Sequence, residues 1–232
     1  MRALVAFLLK DFYRSHRYFI PMFCYVGFVG WLYTIVPNPV LESYSTTSTL
    51  LYAITAWLTL NLLRSEPVVQ GQLSILHVGK RIRYEWARLA AAGLLVTGLS
   101  LFATFYPLLR GAFQLRPSGA ELLTGFYSHL SLSLLMISLV WVIEGDGKRN
   151  YMNNLFLLIL FIALSIGGQG ILAELPESLR FAGWILPPVF RVNDALLNSD
   201  VLSTGEYLTK LAAPIWYSML LLGLGFVRLR KQ

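Results

Sequence analysis

Six stretches of the chain stay apolar over roughly 20 residues, about the helical length that crosses a hydrocarbon core. They predict spans over 18–36, 46–63, 89–109, 122–143, 151–172 and 208–227. The second is diluted by threonine and rests on its 50–63 portion. Membrane-barrel strands would show segments of about ten residues alternating apolar and polar; these runs are continuous, so helices are predicted. Ahead of them the period changes. Leu4, Val5, Leu8, Leu9, Phe12 and Phe19 fall on one side of a helical wheel, and Arg2, Lys10, Asp11, Arg14 and Arg17 on the other, with Phe7 the exception. That pattern predicts an amphipathic helix over 1–17, lying in the interface with its basic face toward anionic headgroups. The plainer alternative is a basic flank anchoring the first span. No small-residue cleavage site follows, so a signal peptide is not indicated. Pro21 falls in the first turn of the next span, where a missing N–H costs little.

Two connections carry more pattern than a loop needs. In 64–88, Ser65-Glu66-Pro67 predicts a helix start with acid and proline in the first turn. Val69, Leu73 and Leu76 then repeat at helical spacing, and Gly79 offers a left-handed stop. A helix over about 66–80 is too short to span. Its single apolar stripe suits a groove on another protein, or else packs back on its own bundle. The second connection, 173–206, contains Leu175-Pro176 and Trp184-Ile185-Leu186-Pro187-Pro188. It is too apolar for a solvated loop and too often broken by proline for a span. It predicts a re-entrant helical segment sheltered by neighbouring protein, the alternative being an interfacial helix anchored by Trp184. Gly167, Gly168 and Gly170 would loosen the helix end before it.

Composition agrees with this pattern. Of 232 residues, 56% are hydrophobic and 13% charged, with a mean hydropathy of +0.60. A water-soluble domain could not hide so much apolar surface, and disorder is excluded on the same ground. The fold class expected is an all-α membrane protein in one bundle. The net charge of +7 reports orientation and not a nucleic-acid partner. With the N-terminus inside, the inner segments hold Arg2, Lys10, Arg14, Arg17, Arg64, Lys80, Arg81, Arg83, Arg88, Lys148, Arg149, Arg228, Arg230 and Lys231. The outer segments hold only Arg110, Arg116, Arg180, Arg191 and Lys210. Positive residues stay in the cytoplasm, so both termini are expected there, in a multi-pass protein of the cell membrane. A single cysteine, Cys24, excludes an internal disulfide framework.

Catalytic constellations are missing. His16, His77 and His129 lie in different segments, without a metalloprotease motif. Gly79-Lys80 and Gly147-Lys148 lack both the upstream glycine and the following Ser/Thr of a phosphate loop, so no nucleotide, metal or other cofactor is expected on this chain. No acidic residue lies deep in a predicted span, which disfavours ion-coupled transport. His129 has a serine at i+4, Ser133, but no glycine-framed nucleophile surrounds it. In the fourth span Thr124, Ser128, Ser131 and Ser138 share a side, reading as close helix packing or as the lining of a path. His129 points elsewhere and reads as a buried, hydrogen-bonded side chain. Phe23, Tyr25, Trp31, Tyr52 and Trp57 are candidates for a greasy pathway, although aromatics at span ends form ordinary belts.

An interfacial first helix, six spans, a helix opened by Glu66 and closed by Gly79-Lys80, and the Leu175-Pro176…Leu186-Pro187-Pro188 segment together resemble the permease subunit of ABC-2 type ABC transporters, the type V exporter fold. Val78-Gly79-Lys80 stands where that family often has a proline and a small or basic residue. The resemblance implies a six-helix transmembrane domain over 18–232 that moves a hydrophobic or amphipathic substrate (peptide, lipid or antibiotic), as in antimicrobial peptide resistance. It implies export, a second permease copy or paralogue, contact with membrane lipids, and two separate ATPase subunits that bind ATP and Mg. Glu66, Gln70, Leu73 and His77 would contact the ATPase. The alternative is a non-transporting multi-span protein, an assembly or sensor-anchoring factor.

Overall fold

The computed structural model describes residues 1–144, 150–177, 183–184 and 186–230. Among them all regular structure is helical: α1 (Arg2–Arg14), α2 (Phe19–Leu32), α3 (Val40–Leu63), α4 (Val68–Val78), α5 (Arg81–Arg110), α6 (Gly119–Glu144), α7 (Tyr151–Glu174), α8 (Val189–Leu197) and α9 (Thr204–Arg230). Four of these, α5, α6, α7 and α9, are long and apolar enough to cross a membrane. Lys148, Arg149, Arg180 and Lys231 of the charge count lie outside the described residues, as do 178–182 and 185 of the expected re-entrant segment.

The first two expected spans depart from that standard in opposite ways. α2 has 14 residues, about 21 Å of helix. It ends at Leu32 because the Thr34 amide and hydroxyl both bond the Trp31 carbonyl, tightening the chain into a turn. Pro39, in extended conformation, then leads into the next helix as its N-cap. α3 is long, 24 residues, but rich in hydroxyls, and it begins at Val40, six residues before the expected start. Most of those hydroxyls are buried, with Thr46 exposed and Thr49 half-buried. Ser43 bonds the Pro39 carbonyl and Ser48 that of Ser45, so the helix itself takes up part of its polar side chains.

α3 and α6 form the centre. They run parallel, meeting at Thr47–His129 near one end, Thr55–Ser133 in the middle and Arg64–Glu144 at the other. Gly125 of α6 lets the Tyr44 ring of α3 lie on its backbone; a Cβ there would overlap the ring. The Tyr44 hydroxyl continues across to the Thr104 carbonyl of α5. α5 and α9 pack on α6, α1 lies against α5, and α8 sits between α3, α7 and α9. Leu8 and Phe12 of α1 are buried and Leu4, Val5 and Leu9 half-buried, while Arg2, Lys10 and Arg14 stay exposed. The apolar side of the expected amphipathic helix therefore faces its own bundle.

Three helix starts are built by side chains. Ser118 and Glu121 bond each other's backbone amides ahead of α6, and Ser203 and Glu206 do the same ahead of α9. These are reciprocal Ser-x-x-Glu caps. Asn150 accepts from the Met152 amide at the start of α7.

Candidate functional site

The charged residues gather at one end of the bundle, where α3 and α6 finish and α5 and α7 begin. α4 projects from this end. Its start differs from expectation: Pro67, in extended conformation, is the N-cap, and the helix runs from Val68. Ser65 instead turns back, donating its hydroxyl to the Leu62 carbonyl at the end of α3. Gly79 closes α4 at φ 74°, the left-handed stop that a glycine accepts without strain.

Glu66 lies just ahead of α4 and points inward. Its carboxylate accepts from the Ser74 hydroxyl (2.6 Å) and from the Tyr84 hydroxyl of α5. This fastens the root of α4 to α5, the one helix it packs on appreciably. Gln70 is half-buried. Leu73 and His77 are exposed, and His77 Nδ1 turns onto the Leu73 carbonyl. The four residues singled out in this segment therefore divide: Glu66 braces the helix, while Leu73 and His77 stand outward. Val69 and Leu76, 68% and 75% exposed, complete an apolar face that no other described residue covers. No residue of α4 is buried.

Around the root of α4 lies a cavity of about 950 Å³, lined by Arg17, Arg64, Arg81 and Arg88 and by Glu66, Glu85 and Glu144, among others. Its walls hold one ion pair between sequence-distant helices and one within α5. Arg64 grips Glu144 with two bonds of 2.8 Å, and Asn154 of α7 donates to the same carboxylate. The Arg64 guanidinium also lies over the Tyr151 ring, 5.0 Å from its centroid. Glu85 is buried between Arg88 (3.1 Å) and the Trp141 indole N–H (2.9 Å). Removing one partner from such a pair leaves a charge uncompensated and costs about 3–5 kcal/mol. These acids were expected at span edges or in the loop. α5 begins at Arg81, eight residues before its expected span, and carries Glu85 into the bundle. The spacing of Tyr84, Ala87 and Leu89 is the local signal for that extension; no local signal pairs Arg64 with a residue 80 positions away.

The small-hydroxyl side of α6 is largely internal. Ser128, Ser131 and Ser138 are buried and bond their own helix carbonyls, and Thr124, half-buried, accepts from Tyr207 of α9. None of the four lines the charged cavity. His129 is buried; its Nδ1 meets the Gly125 carbonyl (2.6 Å), which can only accept, so Nδ1 carries the proton and Nε2 accepts from Thr47 (2.9 Å). Ser133 bonds Thr55 and not His129, so no Ser–His pair exists there. Of the five aromatics, Tyr25 and Tyr52 are buried, whereas Phe23, Trp31 and Trp57 are exposed.

At the opposite end, Pro176 is exposed beyond α7, Pro187 is half-buried, and Pro188 is buried as the N-cap of α8. Trp184 is exposed and carries Arg191 on its ring at 3.9 Å. Burial pushes the Arg191 guanidinium down from its ordinary value. Lys210 of α9 bonds Asp194 of α8. Among the described residues no cluster of three His, Cys, Asp or Glu side chains could hold a metal ion. The chain matches no family model, no curated protein and no solved structure.

Proposed function

We propose that this chain is the membrane permease subunit of an ABC-2 type transporter, moving a hydrophobic or amphipathic substrate and driven by a separate ATPase. The observation that carries this reading is the outward stripe of α4, Val69, Leu73 and Leu76, which no described residue covers, while the opposite side of the helix is half-buried and tied to α5 through Glu66. An uncovered stripe at helical spacing is the form in which one protein's helix enters another's groove. The basic end is then cytoplasmic under the positive-inside rule. α2 and α3 complete six spans with α5, α6, α7 and α9, and two copies assemble with two ATPases that bind ATP and Mg. α1 lies at the inner membrane surface. Motion received by α4 passes through the Glu66–Tyr84 bond into α5; such a partner shifts the permease only through contacts that differ between its states.

Leu73→Asp tests the reading. Leu73 is half-exposed and touches no core, so the variant is expected to keep the parent's melting temperature in detergent. It is expected to lose copurification with the ATPase encoded beside it, and the stimulation of that ATPase. Unchanged association and stimulation would refute the coupling role, and the absence of any ATPase partner would favour the assembly or sensor-anchoring alternative.

A further inference from the structure

A second cavity lies between α3 and α7. It measures about 320 Å³ and is lined by apolar side chains, among them Ala53, Ala56 and Trp57 of α3 and Leu155, Leu158 and Ile159 of α7. Polar ties hold the two helices on either side of it. Tyr52 bonds Ser165 (2.9 Å) toward one end, and Arg64, Tyr151, Glu144 and Asn154 close the other. Tyr151 lines both this cavity and the 950 Å³ charged one, so the two adjoin. Both volumes fall in the range of small-molecule sites. An apolar slot that leads into a charged chamber at one membrane surface has the form of an amphiphile.

The sign of the head follows from the hydrogen bonds left over. Each carboxylate among the described residues of the chamber is engaged: Glu66 by Ser74 and Tyr84, Glu85 by Arg88 and Trp141, Glu144 by Arg64 and Asn154. The arginines are not used up. A guanidinium has five N–H donors; Arg64 spends two on Glu144, and Arg17 spends one on the Arg64 carbonyl. The chamber lining carries four arginines against three carboxylates, and a positive chamber with guanidinium donors to spare suits a phosphate. From this we infer that the paired cavities bind an anionic phospholipid, one acyl chain between α3 and α7 and the phosphate on Arg17 and Arg64. This is the basic-pocket mode of headgroup recognition. The inference stands on this chain's own cavities and does not rest on the ATPase reading.

Trp57 is a built-in reporter. The purified chain is placed in phosphatidylcholine vesicles containing brominated-chain phosphatidylglycerol, or brominated-chain phosphatidylcholine at the same fraction. The Trp57 signal is the parent's fluorescence minus that of Trp57→Phe. Phosphatidylglycerol is expected to quench it several-fold more at low fraction, and saturably. Arg17→Gln, an exposed change, is expected to reduce that preference, and Ala53→Phe, which fills the slot, to abolish the saturable part. Free glycerol phosphate, carrying a head but no chain, is expected not to relieve quenching. Equal quenching by the two lipids would overturn the proposal, as would a preference that survives both substitutions. Relief by glycerol phosphate would show a headgroup site alone and overturn the acyl-chain half. Coupling to an ATPase is read separately, so either reading can fail without the other.

Discussion

α6 and α7 are both long and apolar enough to cross a bilayer, yet they occupy opposite positions in the molecule. The most apolar stretch of α7 has a mean hydropathy of 2.4 and is 17% buried; that of α6 has 1.8 and is 67% buried. α3, whose most apolar stretch does not reach the standard of a span, lies at the centre, with sixteen buried residues. Among these three helices burial runs against hydropathy, whereas α9, at a mean hydropathy of 1.5, is only 22% buried. Lipid solvates an apolar side chain as well as a protein interior does, so apolarity gives no reason to bury a helix. Close approach at small residues and hydrogen bonds between helices do. α3 and α6 have both, in Gly125 beneath Tyr44 and in the Thr47, Thr55 and Arg64 contacts. α7 leaves Phe156, Ile159 and Leu160 exposed and touches α3 at few places.

The contrast can be broken most severely at Gly125. Gly125→Leu drives a side chain into the Tyr44 ring and is expected to cost at least about 3 kcal/mol, read as a large fall in melting temperature in detergent. A variant that melts like the parent would mean α3 and α6 do not depend on that approach. The next effect is smaller and sharpens the comparison within α7. Tyr52→Phe removes the α3–α7 bond to Ser165 and is expected to cost about 0.6 kcal/mol, the average for such bonds inside a bilayer. Leu160→Ala, on the outward side of α7, is expected to cost less than about 0.5 kcal/mol. If Leu160→Ala were the more damaging, α7 would be held by apolar packing after all.

The smallest effect concerns the Asp194–Lys210 tie that holds α8 to α9. Burial pushes the Asp194 carboxyl up, but hydrogen bonds from Lys210 and Asn198 outweigh it and hold the group below its ordinary value. A depressed acid contributes stability above its unfolded value of about 3.9 and loses it as pH falls through the lower folded value. Asp194→Asn is therefore expected to melt slightly below the parent at pH 7 and together with it below about pH 3. A gap that persists in acid would show that the side chain acts through its shape and not its charge.

Much of the helical layout was legible along the chain because its signals are local. The α4 stripe, its glycine stop and the ends of α6 and α7 could be read from spacing alone. So could the burial of His129. The Ser-x-x-Glu caps were equally local and explain why Glu121 and Glu206 sit at helix edges. α2 was harder, since its stop depends on a Thr34 turn inside an apolar run. The inward turn of Glu66 was not legible: an acid before a helix suits the dipole of that helix, and only the fold brings Tyr84 within its reach. The Arg64–Glu144–Asn154 cluster was out of reach for the same reason, being assembled from three helices with no shared motif.

α5 is 30 residues long, about 45 Å of helix, with Pro107 confined to its last turn. It carries α4 at one end and α1 along its flank, and at the other it receives the Tyr44 hydroxyl through Thr104. A tilt of about 10° about its foot would sweep its far end sideways by about 8 Å, the rise of five residues. A small rotation at one face of the membrane thus becomes a displacement as wide as a side chain at the other.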